Sequence, residues 1–146
     1  MFDQANPLNS YISHALASAH REVQVSLSRR LKIFDVQIEA WRIMETLDDM
    51  PAVTMTELAG LVLMNPPTLT KLVDRMVSDG LVHRQVAVKD RRQVNLILTD
   101  LGLRRLVQVR DAVKSEDGRI LEIVGEENAG YLNQLLEKLS HEYSEN

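Results

Sequence analysis

The sequence predicts a mainly α-helical chain interrupted once by a small β-hairpin, an α+β architecture with helices at both ends. Three observations lead there. Apolar residues recur at i, i+3/i+4 and i+7 along most of the chain. Between Val82 and Leu98 that period gives way to alternation around a charged cluster. Asn, Thr, Pro and Gly stand where helices would start and stop.

Taken in order, Leu8, Ile12, Ala15, Leu16, Ala19, Val23 and Leu27 mark a first helix over 8–31, opened by Asn6-Pro7. A second is expected from Asp35, read as its capping residue, through Ile38, Trp41, Met44 and Leu47; Asp48-Asp49-Met50-Pro51 ends it. Thr54 or Thr56 caps a short third helix that stops near Met64. Asn65 as N-cap and Pro66 at the first helical position start a fourth, about 66–79, with Leu69, Leu72, Val73, Met76 and Val77 on one face and Gly80 just past its end. Val82, Val86 and Val88, then Val94, Leu96 and Leu98, flank Lys89-Asp90-Arg91-Arg92 as a hairpin with a charged tip, about 82–98. Thr99-Asp100 restarts a long helix through Ile123, with Gly118 a candidate bend. Gly125 breaks it, and Ala129 to Tyr143 form the last amphipathic helix.

The chain of 146 residues is read as one domain, 1–146, large enough to bury about two-thirds of its unfolded surface. It contains no cysteine, which excludes disulfides and thiol chemistry. No apolar run approaches the ~18 residues of a membrane span, and MFDQANPLNS has neither the basic start nor the apolar stretch of a secretory signal. A cytoplasmic location with no membrane partner is therefore expected. His14, His20, His83 and His141 are scattered, with no spacing that places two metal ligands on one helix face. Neither a phosphate loop nor a nucleophile motif is present, so no metal, no cofactor and no enzymatic activity are expected.

Net charge is −4, but the distribution is uneven. From Lys71 to Arg92 six Lys/Arg face three Asp/Glu; the remainder carries eleven basic and eighteen acidic residues. That basic window is either a DNA-contacting element on an acidic body or a solvated face.

A short helix, a tight turn and a capped helix make a helix-turn-helix, a weak signal alone. The hairpin directly after it strengthens the reading to a winged helix-turn-helix over 35–98. The first turns of the fourth helix then offer Thr68, Thr70 and Lys71 to a major groove about 12 Å wide. The terminal helices, 8–31 and 99–143, are apolar along their length and exceed what the central unit can cover. A second copy of the chain covers them most simply; an intramolecular three-helix pack is the alternative.

The stretch 65–102, NPPTLTKLVDRMVSDGLVHRQVAVKDRRQVNLILTDLG, closely resembles the multiple-antibiotic-resistance regulator (MarR) family. The resemblance lies in Thr70-Lys71-Leu72-Val73-Asp74-Arg75, in Asp79-Gly80-Leu81-Val82-His83-Arg84, and above all in Asp90-Arg91-Arg92 followed by Leu98-Thr99-Asp100-Leu101-Gly102. Trp41-Arg42-Ile43-Met44 is similar to a run in the family's second helix. The resemblance implies a homodimeric regulator, usually a repressor, on a pseudo-palindromic double-stranded DNA operator. It also implies that Arg92 enters the minor groove beside Lys89 and Arg91, with Asp90 orienting it or bracing the wing. Thr68, Thr70 and Lys71 would read bases or hold phosphates. Arg75 would touch DNA or pair with Asp90.

Relatives in the family sense aromatic or phenolic acids, which makes Tyr11, His14, Trp41 and Arg42 candidate effector contacts. For Trp41, core filling is the competing role. A winged-helix protein–protein module, or a ligand-binding helical dimer without DNA affinity, remains the alternative for the whole chain.

Overall fold

The computed structural model describes residues 6–50, 52–86 and 94–146. After a 3-10 turn (Pro7–Ser10) come α1 (Ile12–Lys32), α2 (Ile38–Asp49), β1 (Val53–Thr54), α3 (Met55–Leu61), α4 (Pro66–Ser78), β2 (Val82–Val86), β3 (Val94–Leu98), α5 (Asp100–Val124) and α6 (Glu126–Ser144). The mainly helical chain thus carries a small antiparallel sheet, and the expected order of helices around a hairpin is the observed one.

The first correction falls at the start of α2. Asp35 does not cap it. Its φ of 54° places it just past α1, where Asp35 N–H donates to Lys32 O at 3.0 Å and Val36 N–H to Leu31 O at 3.3 Å. These two bonds close α1 with a left-handed residue, a role that Asp tolerates as well as capping. Gln37, extended and without a side-chain cap, precedes α2 instead. Thr54, not Thr56, caps α3: its Oγ1 accepts from Glu57 N–H at 3.2 Å.

The short helix α3 ends at Leu61, earlier than Met64, because Leu63 adopts φ 62° and Met64 N–H returns to Ala59 O at 3.1 Å. A leucine held left-handed loses roughly 1 kcal/mol, and this one is exposed, so its side chain returns little. Leu63→Gly is therefore expected to leave the fold intact and raise stability by about 0.5–1 kcal/mol, measured by denaturant melting at fixed protein concentration.

At the hairpin, β2 pairs antiparallel with β3 from Val82↔Leu98 to Val86↔Val94. The two-residue β1 adds a third strand through Val53↔Leu96, giving the order β1-β3-β2. No periodicity is readable in two residues, so the sequence offered no sign of it. The alternation expected of the wing is only partly realised. Val82 and Leu96 are buried, while Val86 is exposed where β2 leaves the body.

One core joins these elements: Leu27 and Leu31 of α1, Ile43, Met44 and Leu47 of α2, Leu58 of α3, Leu69, Val73 and Met76 of α4, Leu96 of β3, and Leu106 and Val109 of α5. Each such side chain contributes on the order of 1.5–3 kcal/mol of burial. Only the last turns of α1 and the first half of α5 enter it. Farther along, α5 is tied to α1 by Glu116, which is buried and accepts from Arg30 Nε at 2.6 Å and Ser26 Oγ at 2.8 Å. Through Gly118 the helix continues without interruption to Gly125, whose φ of 86° separates it from α6. No residue of α6 is buried.

Among the described residues, no helix is long and apolar enough to cross a membrane.

Candidate nucleic-acid interface

The helix α4 begins as its sequence dictates. Asn65 Oδ1 accepts from Thr68 N–H at 3.1 Å, and Pro66, lacking a donor, fills the first position. It ends at Gly80 (φ 77°), with Leu81 N–H donating to Met76 O at 2.9 Å. Leu69, Leu72, Val73 and Met76 face the core. At 3.6 residues per turn, Pro67, Lys71 and Asp74 then point most directly outward, Thr68 and Arg75 flank them on one side, and Thr70 on the other. Thr68, Thr70, Lys71 and Arg75 are all exposed.

The two threonines differ. Thr70 Oγ1 donates to Pro66 O at 3.0 Å, which occupies its proton within the helix and leaves the oxygen lone pairs and the methyl for a ligand. Thr68 Oγ1 makes no such bond among the described residues.

A tie between α4 and the wing exists, on residues that the sequence did not single out for it: Arg84 of β2 donates to Asp74 of α4. Both side chains are exposed, so the pair adds under about 1 kcal/mol. Its consequence is geometric: it holds β2 against the outward face of α4 and neutralises the one carboxylate there. Lys89, Asp90, Arg91 and Arg92 lie outside the described residues, so the Arg75–Asp90 pairing is not placed.

The base of the wing is locked more firmly. Thr99 Oγ1 donates toward Gly80 O (2.6 Å) and Leu81 O (3.0 Å), and accepts from Gly102 N–H at 3.0 Å. One hydroxyl thus joins the end of α4, the start of β2 and the first turn of α5. Gly102 is buried there against Leu81. This is the physical content of the Leu98-Thr99-x-x-Gly102 run.

The four candidate effector residues are not gathered in one protomer. Tyr11 is exposed at the start of α1, and His14 is half-buried one turn later. Trp41 is half-buried against the core, and its indole N–H donates to Glu45 Oε2 at 3.2 Å. Glu45 and Asp48 in turn accept from Arg110 Nη2 at 2.9 and 2.5 Å, joining α2 to α5. Those hydrogen bonds, Glu45's first, hold the Arg110 guanidinium above its usual pKa, so it is a permanent cation. Arg42 turns another way. It lines a cavity of about 450 Å³ with Gln37, Glu39, Asn65, Thr68, Lys71 and Arg75. Neither Tyr11, His14 nor Trp41 is among its walls.

Comparison with known proteins agrees with this arrangement. Residues 36–94, from just before α2 to the first residue of β3, match the model of the MarR family. The HTH-type transcriptional repressor IacR of Pseudomonas putida is 26% identical over 126 residues, covering 86% of this chain and 75% of IacR. A transcriptional repressor, CouR, solved on a 23-mer DNA duplex, superposes with a TM-score of 0.86 at 24% identity, over 91% of this chain and 94% of its own. NadR in complex with 4-hydroxyphenylacetate superposes with a TM-score of 0.76 at 25% identity, over 95% of each chain. The wing-base lock, the capped and outward-facing α4 and these matches lead to one conclusion: the winged helix-turn-helix segment of this chain, residues 36–94, matches the MarR family, within a fold shared over most of the chain with the solved regulators.

Proposed function

We propose that the chain is a homodimeric transcriptional repressor that binds a pseudo-palindromic operator in double-stranded DNA. The observation that carries this is the exposed side of α4, where Thr68, Lys71 and Arg75 stand together next to a hairpin pinned by Arg84 and Asp74. A helix presented this way fits a major groove, and two copies would read half-sites about one turn (10–10.5 bp) apart. The connection between β2 and β3 carries Lys89, Arg91 and Arg92 against a single Asp90, a composition suited to the negative potential of a narrow minor groove. Nothing in this role calls for catalysis, and a DNA-bound regulator of this kind works in the cytoplasm.

For an effector, the proposed class is a small aromatic or phenolic acid. The support is the kinship with NadR, which was solved with such an acid, and the half-buried Trp41 next to the α2–α5 junction. Tyr11 and His14 are the other proposed contacts. Such a ligand shifts operator binding only as far as its affinities for the two lobe spacings differ.

The test is a salt titration of binding to a duplex selected from a random pool. Lys71→Ala is expected to weaken binding by about 1–3 kcal/mol where Lys71 reads a base, or uniformly across sequences where it holds a phosphate. Arg92→Ala should lower affinity and flatten the salt slope by about one unit for each phosphate it no longer neutralises, with thermal stability unchanged. Wild-type-like binding by both variants would reject the interface.

A further inference from the structure

The cavity beside α4 has an unusual charge balance. Among the described residues, its walls carry Arg42 from α2 and Lys71 and Arg75 from α4, against Glu39 as the sole carboxylate. Among the described residues, none of the three cations takes part in an ion pair. The neighbouring cavity shares Gln37, Glu39 and Arg75, yet there Lys32 and Arg75 meet Asp35, Glu39 and Asp79. Of these two neighbouring cavities, the excess positive charge thus lies in the notch between α2 and α4. Three convergent cations repel one another, and an anion between them relieves that repulsion.

We propose that this notch grips one phosphodiester of the operator backbone in each half-site, with Arg42 as the contact from α2. The inference rests on the DNA-binding reading above and takes Arg42 out of the effector site. A backbone phosphate fits better than a small aromatic acid for two reasons. The notch is open, and polar or charged residues from α2 and α4 line it beside the apolar Leu63, Met64 and Leu72. It also shares Thr68, Lys71 and Arg75 with the face that meets the groove, so whatever fills it lies against the DNA. Arg42 is half-buried, so its stem is already ordered and little side-chain entropy is lost on binding. Phosphate contacts of this kind set the register of a recognition helix without reading sequence.

The experiment uses the full chain and a duplex that the wild type selects from a random pool. Arg42→Gln should lower affinity for that duplex and for a scrambled one by the same factor, about tenfold at low salt, and reduce the salt slope by about 0.9 per subunit. Phosphate-ethylation interference should lose one sensitive position per half-site. Arg42→Lys should restore the slope. Gln37→Glu, an exposed change that places a second carboxylate at the same notch, should lower affinity in the same sequence-independent way, and it decides the matter if Arg42→Gln folds poorly. Unchanged slope and interference pattern in variants that still bind DNA overturn the proposal. So does a variant whose only defect is its response to a phenolic acid, which returns Arg42 to the effector site. A wild type without salt-dependent DNA binding removes the DNA reading itself, and this inference with it.

Discussion

Gly102→Ala is expected to lower stability by about 3 kcal/mol, against the direction that helix propensity alone dictates. Gly102 stands in the first turn of α5, where alanine is worth up to about 1 kcal/mol more than glycine. A Cβ built there, however, meets Leu81 O at 2.1 Å, Leu98 Cδ1 at 2.6 Å and Leu81 C at 3.1 Å. The leucine methyl can swing aside. The carbonyl cannot, because Leu81 O already receives Thr99 Oγ1 and Thr99 N–H, the latter at 3.1 Å. Relief requires α5 to move off the start of β2, which breaks the hydroxyl lock and tilts the wing. A melting-temperature drop of roughly 6–12 °C is expected, together with weaker DNA binding in the protein that remains folded. Gly60→Ala, where a Cβ meets nothing within 4 Å, is the control and should be neutral or slightly stabilising. Equal melting temperatures for the wild type and Gly102→Ala would show that this joint yields easily.

The parts of this fold that were legible in the sequence are those where one residue type suits one role. Asn65-Pro66 at the head of α4 and Gly80 at its tail bracket the helix because capping, a missing donor and a positive φ each select those residues. Thr99 before α5 is legible for the same reason. The misreadings fall where a residue has two uses or an unusual one. Asp35 suits a left-handed C-terminal position as well as an N-cap, and only the turn back onto Leu31 and Lys32 decides. Leu63 sits left-handed although leucine has no preference for that region, so no pattern announces the end of α3.

The site divides along the same line. Helical periodicity places Thr68, Lys71 and Arg75 away from the buried Leu69, Leu72, Val73 and Met76, so the outward face was readable in advance. Pairings between elements were not. Arg84 finds Asp74 because the strand runs back past the helix, a relation that local spacing does not encode. Arg42 reads equally well as a pocket residue or a surface cation until α2 and α4 are placed side by side.

Leu135→Asp is expected to abolish the dimer and with it most of the stability and the operator binding. The nineteen residues of α6 include none that is buried, yet Leu132, Leu135, Leu136, Leu139 and Tyr143 recur at helical spacing along it. Leu135 is 63% exposed in the single chain, Ile12 of α1 78%, and Ile123 near the end of α5 72%. Exposed apolar residues on three helices are the kind of surface that marks an interaction site in a soluble protein. A second copy supplies the cover in the homodimer proposed above. With that cover, each leucine gains on the order of 1.5–3 kcal/mol, and a carboxylate at position 135 would instead be buried without a partner. Folding and assembly are then linked, so the wild-type melting temperature should rise with protomer concentration and that of Leu135→Asp should not. Sedimentation should find the variant monomeric at micromolar concentration. Its DNA affinity should fall by orders of magnitude, because a lone α4 engages one half-site without the second held about 34–36 Å away. A well-folded wild-type monomer at that concentration, or a Leu135→Asp protein that still sediments as a dimer, would place the covering surface elsewhere.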